Sequence, residues 1–94
     1  MIRNRRILKR FVAREPLAEA ALAKWQQAVR DNDWDNGAQL LETFNKADCV
    51  NNDKWIFNVG GNKYRLAAMV WFESKAVYIL KVMTDAEYDK EVWK

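Results

Sequence analysis

The chain has 94 residues, half of them apolar and 13% aromatic with five tryptophans, which fits one globular domain over 1–94 with a modest core and excludes a disordered chain. The net charge is +3, there is no histidine, and Cys49 is the single cysteine. These exclude imidazole general bases, Ser-His-Asp triads, an intrachain disulfide and the usual His/Cys zinc site, so no metal or other cofactor is expected.

No apolar run approaches the ~20 residues of a bilayer-spanning helix, and no apolar segment follows the basic N-terminus as a secretory signal requires. A cytoplasmic chain without membrane association is therefore expected, with Cys49 a small buried residue in a reducing compartment. The charge is unevenly placed. Residues 1–14 hold Arg3, Arg5, Arg6, Lys9, Arg10 and Arg14 and no acid, leaving ten cations against thirteen acids in the remainder. Such asymmetry points to a partner that carries phosphates or carboxylates.

In chain order, residues 1–3 can add an edge strand. Asn4 can cap a helix over 5–14, where Ile7, Leu8, Phe11 and Val12 recur at helical spacing and the cations cover the other side. Pro16 suits the first turn of a second helix reaching Arg30, with Ala18, Ala21, Leu22, Trp25, Ala28 and Val29 as its apolar stripe. A short helix over 38–44 turns Leu40, Leu41 and Phe44 inward.

From Cys49 the period changes to two. Trp55, Phe57 and Val59 mark a strand, and Gly60-Gly61-Asn62 supplies the positive-φ residues of a tight hairpin. In the next strand Tyr64, Leu66, Ala68, Val70 and Phe72 share one face. Lys63, Arg65, Ala67, Met69 and Trp71 take the other, where Met69 and Trp71 either pack under a helix or form a base-stacking or antitoxin-binding surface. Glu73-Ser74-Lys75 turns the chain into a third strand over 76–83. Thr84 and Glu87 have the spacing of a capping box for a last helix over 85–92. The pattern is α+β: N-terminal helices packed on an antiparallel β meander with a short C-terminal helix.

Chemistry can come from one constellation: Lys63, Arg65, Lys75, Lys81, Asp85 and Tyr88. Each has a plain structural alternative. Lys75 and Lys81 suit edge-blocking lysines, Asp85 suits a helix N-terminus, and Tyr88 suits helix packing.

The residues Phe57, Asn58, Val59, Gly61, Asn62 and Arg65, followed by Thr84, Asp85, Glu87, Tyr88 and Asp89, resemble the HigB-type toxins of bacterial type II toxin–antitoxin systems, in the RelE-like group. The resemblance implies a RelE-like fold and a ribosome-dependent mRNA endonuclease (an mRNA interferase). In such an enzyme a 2′-hydroxyl attacks the adjacent phosphate and basic side chains stabilise the phosphorane. It implies as partners the ribosome, mRNA and a cognate helix-turn-helix antitoxin, with no direct DNA binding unless the antitoxin is present. Carried onto this chain, the catalytic candidates are Arg65, Tyr88, Asp85 and Lys63. The candidate phosphate- and RNA-binding cations are Lys75, Lys81, Arg5, Arg6, Lys9 and Arg10.

Two positions depart from the family pattern. Leu80 stands where the third strand usually carries an arginine, and Asp85 where the C-terminal motif carries a histidine. The first change removes a cation, and the second replaces a side chain that titrates near neutrality with a carboxylate. Weakened cleavage is the expectation, with two routes left open: Asp85 as general base, or Lys81 in place of the missing arginine. The other reading is a toxin-derived module that binds an antitoxin or RNA without catalysis.

Overall fold

The computed structural model describes residues 2–61 and 63–90. Among them the order is β1 (Ile2–Arg3), α1 (Arg6–Arg14), a 3₁₀ turn (Pro16–Ala18), α2 (Glu19–Asp31), α3 (Gly37–Thr43), β2 (Asp48–Cys49), β3 (Lys54–Val59), β4 (Tyr64–Trp71), β5 (Ala76–Thr84) and α4 (Asp85–Lys90). Asn62 of the hairpin turn, and the part of the expected last helix beyond Lys90, lie outside the described residues.

The strands form a mixed sheet in the order β1-β5-β4-β3-β2. The meander β3-β4-β5 is antiparallel, whereas β1 pairs in parallel with β5, Ile2 opposite Val77 and Arg3 opposite Tyr78. The short N-terminal stretch thus becomes an edge strand, and the α+β expectation holds with one parallel pair added.

One sheet face carries the main core. Leu8, Phe11, Leu22, Trp25, Val29 and Leu40 from α1–α3 pack on Trp55, Phe57, Val59, Tyr64, Leu66, Ala68, Val70, Val77, Ile79 and Val82. Period-two alternation in the strands and the helical stripe of α2 place these side chains together. Full burial of such side chains contributes roughly 1.5–3 kcal/mol each. Phe57 sits at the centre, with ring centroids 5.5 Å from Trp25 and 5.1 Å from Phe44 in edge-on geometry. At the hairpin, Gly60 and Gly61 take φ of 64° and 62°, the left-handed region that favours glycine.

Four local expectations fail. Asn4 does not cap α1: it adopts φ 68°, and its side-chain amide donates to the Ile79 carbonyl at 2.8 Å, tying the chain entry to β5. Cys49 is exposed, because β2 is a two-residue edge strand and Cys49 turns its thiol to the Asn51 carbonyl. Leu41 is exposed; Leu40 alone is the buried residue of α3. Trp71 is not packed under a helix but is 38% exposed.

Candidate active site

The other sheet face is built of cross-strand rows. Register places Asn58, Arg65 and Met83 side by side, then Ile56, Ala67 and Lys81, then Lys54, Met69 and Tyr78. Ile56, Ala67 and Met83 are buried in a second, small apolar cluster against which Val50, Leu80 and Tyr88 pack. Arg65 and Lys81 are thus diagonal neighbours on one face, within reach of long side chains.

A bulge between Ala67 and Ala68 breaks the ladder: Ala67 pairs with Lys81 and Ala68 with Ile79, so Leu80 is the extra residue. Its side chain packs against the second cluster. An apolar group is therefore suited to the position where the family pattern carries a cation.

The chain passes directly from β5 into α4, and three contacts fix that helix. The Thr84 amide donates to Glu87 Oε1 at 2.9 Å and the Glu87 amide to Thr84 Oγ1 at 3.2 Å, the capping box expected from their spacing. The Asp85 amide donates to the Lys63 carbonyl at 2.9 Å, joining α4 to the β3–β4 turn. Both terminal nitrogens of Arg14, at the end of α1, donate to the two oxygens of the Glu87 carboxylate, each at 2.9 Å. This fork, followed by the Thr84 amide, holds the Glu87 carboxyl down to about 2. Glu87 in turn raises the Arg14 pKa.

So held, α4 presents Asp85 and Tyr88 to Arg65. Arg65 Nη2 lies 2.8 Å from Asp85 Oδ1, and the Arg65 guanidinium carbon is 5.6 Å from the centroid of the Tyr88 ring. Arg65 Nη1 also donates to the Tyr64 carbonyl at 3.3 Å. The Arg65 side chain is 16% exposed and that of Asp85 48%, so the pair opens to solvent on the carboxylate side. A guanidinium can grip two phosphate oxygens at once, a carboxylate can take a proton, and a phenol can donate one.

The other expected residues are placed as follows. Lys63 is exposed in the turn before β4 and contributes its carbonyl to α4. Lys81 is half-buried in the row next to Arg65 and lines a groove with Arg10, Arg14 and Leu80 between α1 and β5. Arg5, Arg6 and Lys9 line a different depression with Asn4 and Gln26. The basic helix thus faces two ways, and of its expected cations Arg10 borders the groove that contains Lys81.

Lys75 is not gathered with them. It follows the far end of β4, six residues beyond Arg65 at Trp71, or about 20 Å along the strand. There Lys75 adopts φ 59°, with Nζ 2.7 Å from Asp35, 3.2 Å from Asp33 and 2.9 Å from the Trp34 carbonyl. These partners raise its pKa and lower that of Asp35. It clamps the β4–β5 turn to the α2–α3 loop.

The sequence missed Arg14 as the residue that positions α4. No local signal marks it, because its partner Glu87 lies 73 positions away. It also missed Arg3, which β1 brings beside Tyr78 on the second face. Among the described residues no group of three His, Cys, Asp or Glu could hold a metal ion, and no helix is long and apolar enough to cross a membrane.

A family model described as HigB toxin, the RelE-like toxic component of a toxin–antitoxin system, matches residues 18–91. Over 35 residues the chain is 60% identical to the mRNA interferase toxin HigB of Escherichia coli strain K12, a stretch covering 37% of this chain and 34% of that protein. The same figures hold for proteins named mRNA interferase HigB in Escherichia coli O157:H7 and Shigella flexneri. The chain therefore matches about a third of the length of these curated relatives. The family match is far longer, running from the buried Ala18 into α4 and taking in the meander and the Arg65–Asp85–Tyr88 group, so the chain belongs to the HigB family of RelE-like toxins.

Proposed function

We propose that the chain is the toxin of a type II toxin–antitoxin pair and acts as an mRNA interferase, cleaving mRNA on the ribosome. The observation that carries this reading is the convergence of Arg65, Asp85 and Tyr88 on the sheet face that α1–α3 leave uncovered. The names of the relatives, mRNA interferase HigB, point the same way.

The 2′-hydroxyl oxygen forms a bond to the adjacent phosphorus and the bond from phosphorus to the 5′ oxygen breaks. The products are a 2′,3′-cyclic phosphate and a 5′-hydroxyl. Arg65 turns from Asp85 to the phosphate and stabilises the charge on the phosphorane. Asp85 takes the 2′-hydroxyl proton, and the Tyr88 hydroxyl lies on the leaving-group side. Lys81 and Lys63 hold flanking phosphates, while Arg10, with Arg5, Arg6 and Lys9, meets ribosomal RNA. A helix-turn-helix antitoxin neutralises the chain by covering the same face.

One observation favours a second reading. The Arg65 cation is already paired with a carboxylate at 2.8 Å, as suits a toxin-derived module that binds its antitoxin or RNA without cutting. Induction of the chain alone separates the two. The interferase reading expects growth arrest that Arg65→Ala relieves, and equal growth with both chains would reject it.

A further inference from the structure

We propose that the end of the open sheet face remote from Arg65 is a base-stacking platform for single-stranded RNA, formed by Trp71 and Tyr78 and bracketed by Arg3 and Lys54. The choice of RNA rests on the reading of the chain as an mRNA-directed toxin.

Trp71 and Tyr78 are each 38% exposed, whereas Trp25, Trp34 and Trp55 are 3–7% exposed and belong to the core. Their ring centroids are 6.4 Å apart and the rings are inclined by 50°. Tyr78 is opposite Met69, and Trp71 is the next residue of β4 on that face. Two large aromatic side chains therefore stand together on a rigid sheet with their surfaces open to solvent.

The row that holds Tyr78 is flanked by cations on both sides. Register gives Arg3 on β1, Tyr78 on β5, Met69 on β4 and Lys54 on β3, side by side. At the usual strand spacing Arg3 and Lys54 stand about 14 Å apart, with the aromatic pair between them. The row has no carboxylate; the strand carboxylate of this face, Asp48, lies opposite Ile56 at the β2 edge.

Aromatic faces that stack bases, set between cations that track the backbone, are what single-strand recognition requires. A partner protein with an apolar face would meet uncompensated cations at both flanks, whereas a polyanion neutralises them. Arg65 lies about 20 Å along β4 from Trp71, so one strand can lie over both.

The test is fluorescence anisotropy with a labelled 2′-O-methyl RNA 12-mer, whose blocked 2′ oxygens prevent cleavage, beside the same oligomer with abasic central positions. Stacking is worth about 1–3 kcal/mol per base, or roughly 5- to 100-fold in Kd. Loss of that size is expected for Trp71→Ala with Tyr78→Ala, and equally for the intact chain on the abasic oligomer. Trp71→Phe with Tyr78→Phe should retain most of the affinity. Arg3→Ala and Lys54→Ala should each make binding less steeply salt-dependent.

The proposal is overturned if the intact chain binds no oligomer, if it binds the abasic one equally well, or if the alanine variant binds like the wild type. If the alanine variant does not fold, the abasic and phenylalanine arms still decide. A dimer in solution that Trp71→Glu dissolves would assign the face to a second copy and also overturn it. Cleavage is read separately. Trp71-dependent binding without ribosome-dependent cleavage leaves the platform standing and removes the interferase reading. Cleavage with binding indifferent to Trp71 does the reverse.

Discussion

Arg65 on β4 and Asp85 at the head of α4 meet through a 2.8 Å ion pair, beneath which Tyr88 lies with its ring centroid 5.6 Å from the guanidinium carbon. The cation expected to meet a scissile phosphate is therefore engaged by a carboxylate of the same chain. Substrate phosphate must displace that carboxylate, and the displaced carboxylate is then placed to accept a proton.

Substitutions at Asp85 separate these roles. Asp85→Asn keeps the shape and removes the proton acceptor, and should lower ribosome-dependent cleavage by about 10²–10⁴. Asp85→His supplies an acid–base group that titrates near neutrality and removes a negative charge from beside the phosphate, so its single-turnover rate should exceed that of the wild type. If Asp85→Asn cleaves at the wild-type rate, Asp85 is not the base.

The attachment of α4 should depend on acid. Glu87 has its carboxyl held down to about 2 from an ordinary 4.5, by Arg14 first and by the Thr84 amide next. A carboxyl depressed in the folded state contributes stability that is complete above its unfolded value and is lost as pH falls through the folded one. Amide hydrogen exchange in α4 should therefore accelerate as pH falls from about 4.5 toward about 2, after correction for intrinsic exchange. Glu87→Gln should remove that dependence. Both partners are substantially exposed, at 54% and 39% of their side chains, so the global unfolding midpoint should move little.

Phe57 tests the core. It is fully buried between Trp25 and Phe44, and Phe57→Ala should cost about 3–5 kcal/mol in urea denaturation. A cost below about 1 kcal/mol would mean that the helices are not seated on β3 as described.

The two hairpin glycines should differ. Both have positive φ, and alanine in that region costs roughly 1–2 kcal/mol at either position. A Cβ on Gly60 would also approach the Tyr64 ring to 3.1 Å and Ala21 Cβ to 3.3 Å, whereas none is met at Gly61. Gly60→Ala should be the more destabilising of the two in thermal unfolding, and the reverse order would contradict the packing of α2 on the turn.

Much of this was legible in the residues because it depends on local period. The stripe Leu22-Trp25-Val29 and the alternation from Trp55 to Val70 give the helical layer, the strands and the two sheet faces, including Arg65 on the outer one. The capping box at Thr84 and Glu87 is likewise a short-range signal. What stayed hidden depends on partners distant in sequence. Asn4 serves β5 rather than α1 because Ile79 comes to lie beside it. Lys75 is committed to Asp33 and Asp35, some 40 positions away, by a turn that brings two loops together. The bulge at Leu80 shifts the side-chain order of β5 in a way alternation alone does not reveal. At the site, position 65 could be read from alternation and resemblance, but its pairing with Asp85 needed the path of α4.

The most direct test of the Arg65-centred site is primer extension on a reporter mRNA incubated with purified ribosomes and either the wild-type chain or Arg65→Ala. The prediction is ribosome-dependent stops within the coding region from the wild type, and stops about 10²–10³ weaker from the variant. Stops of equal strength from both chains, or none from the wild type, would contradict it.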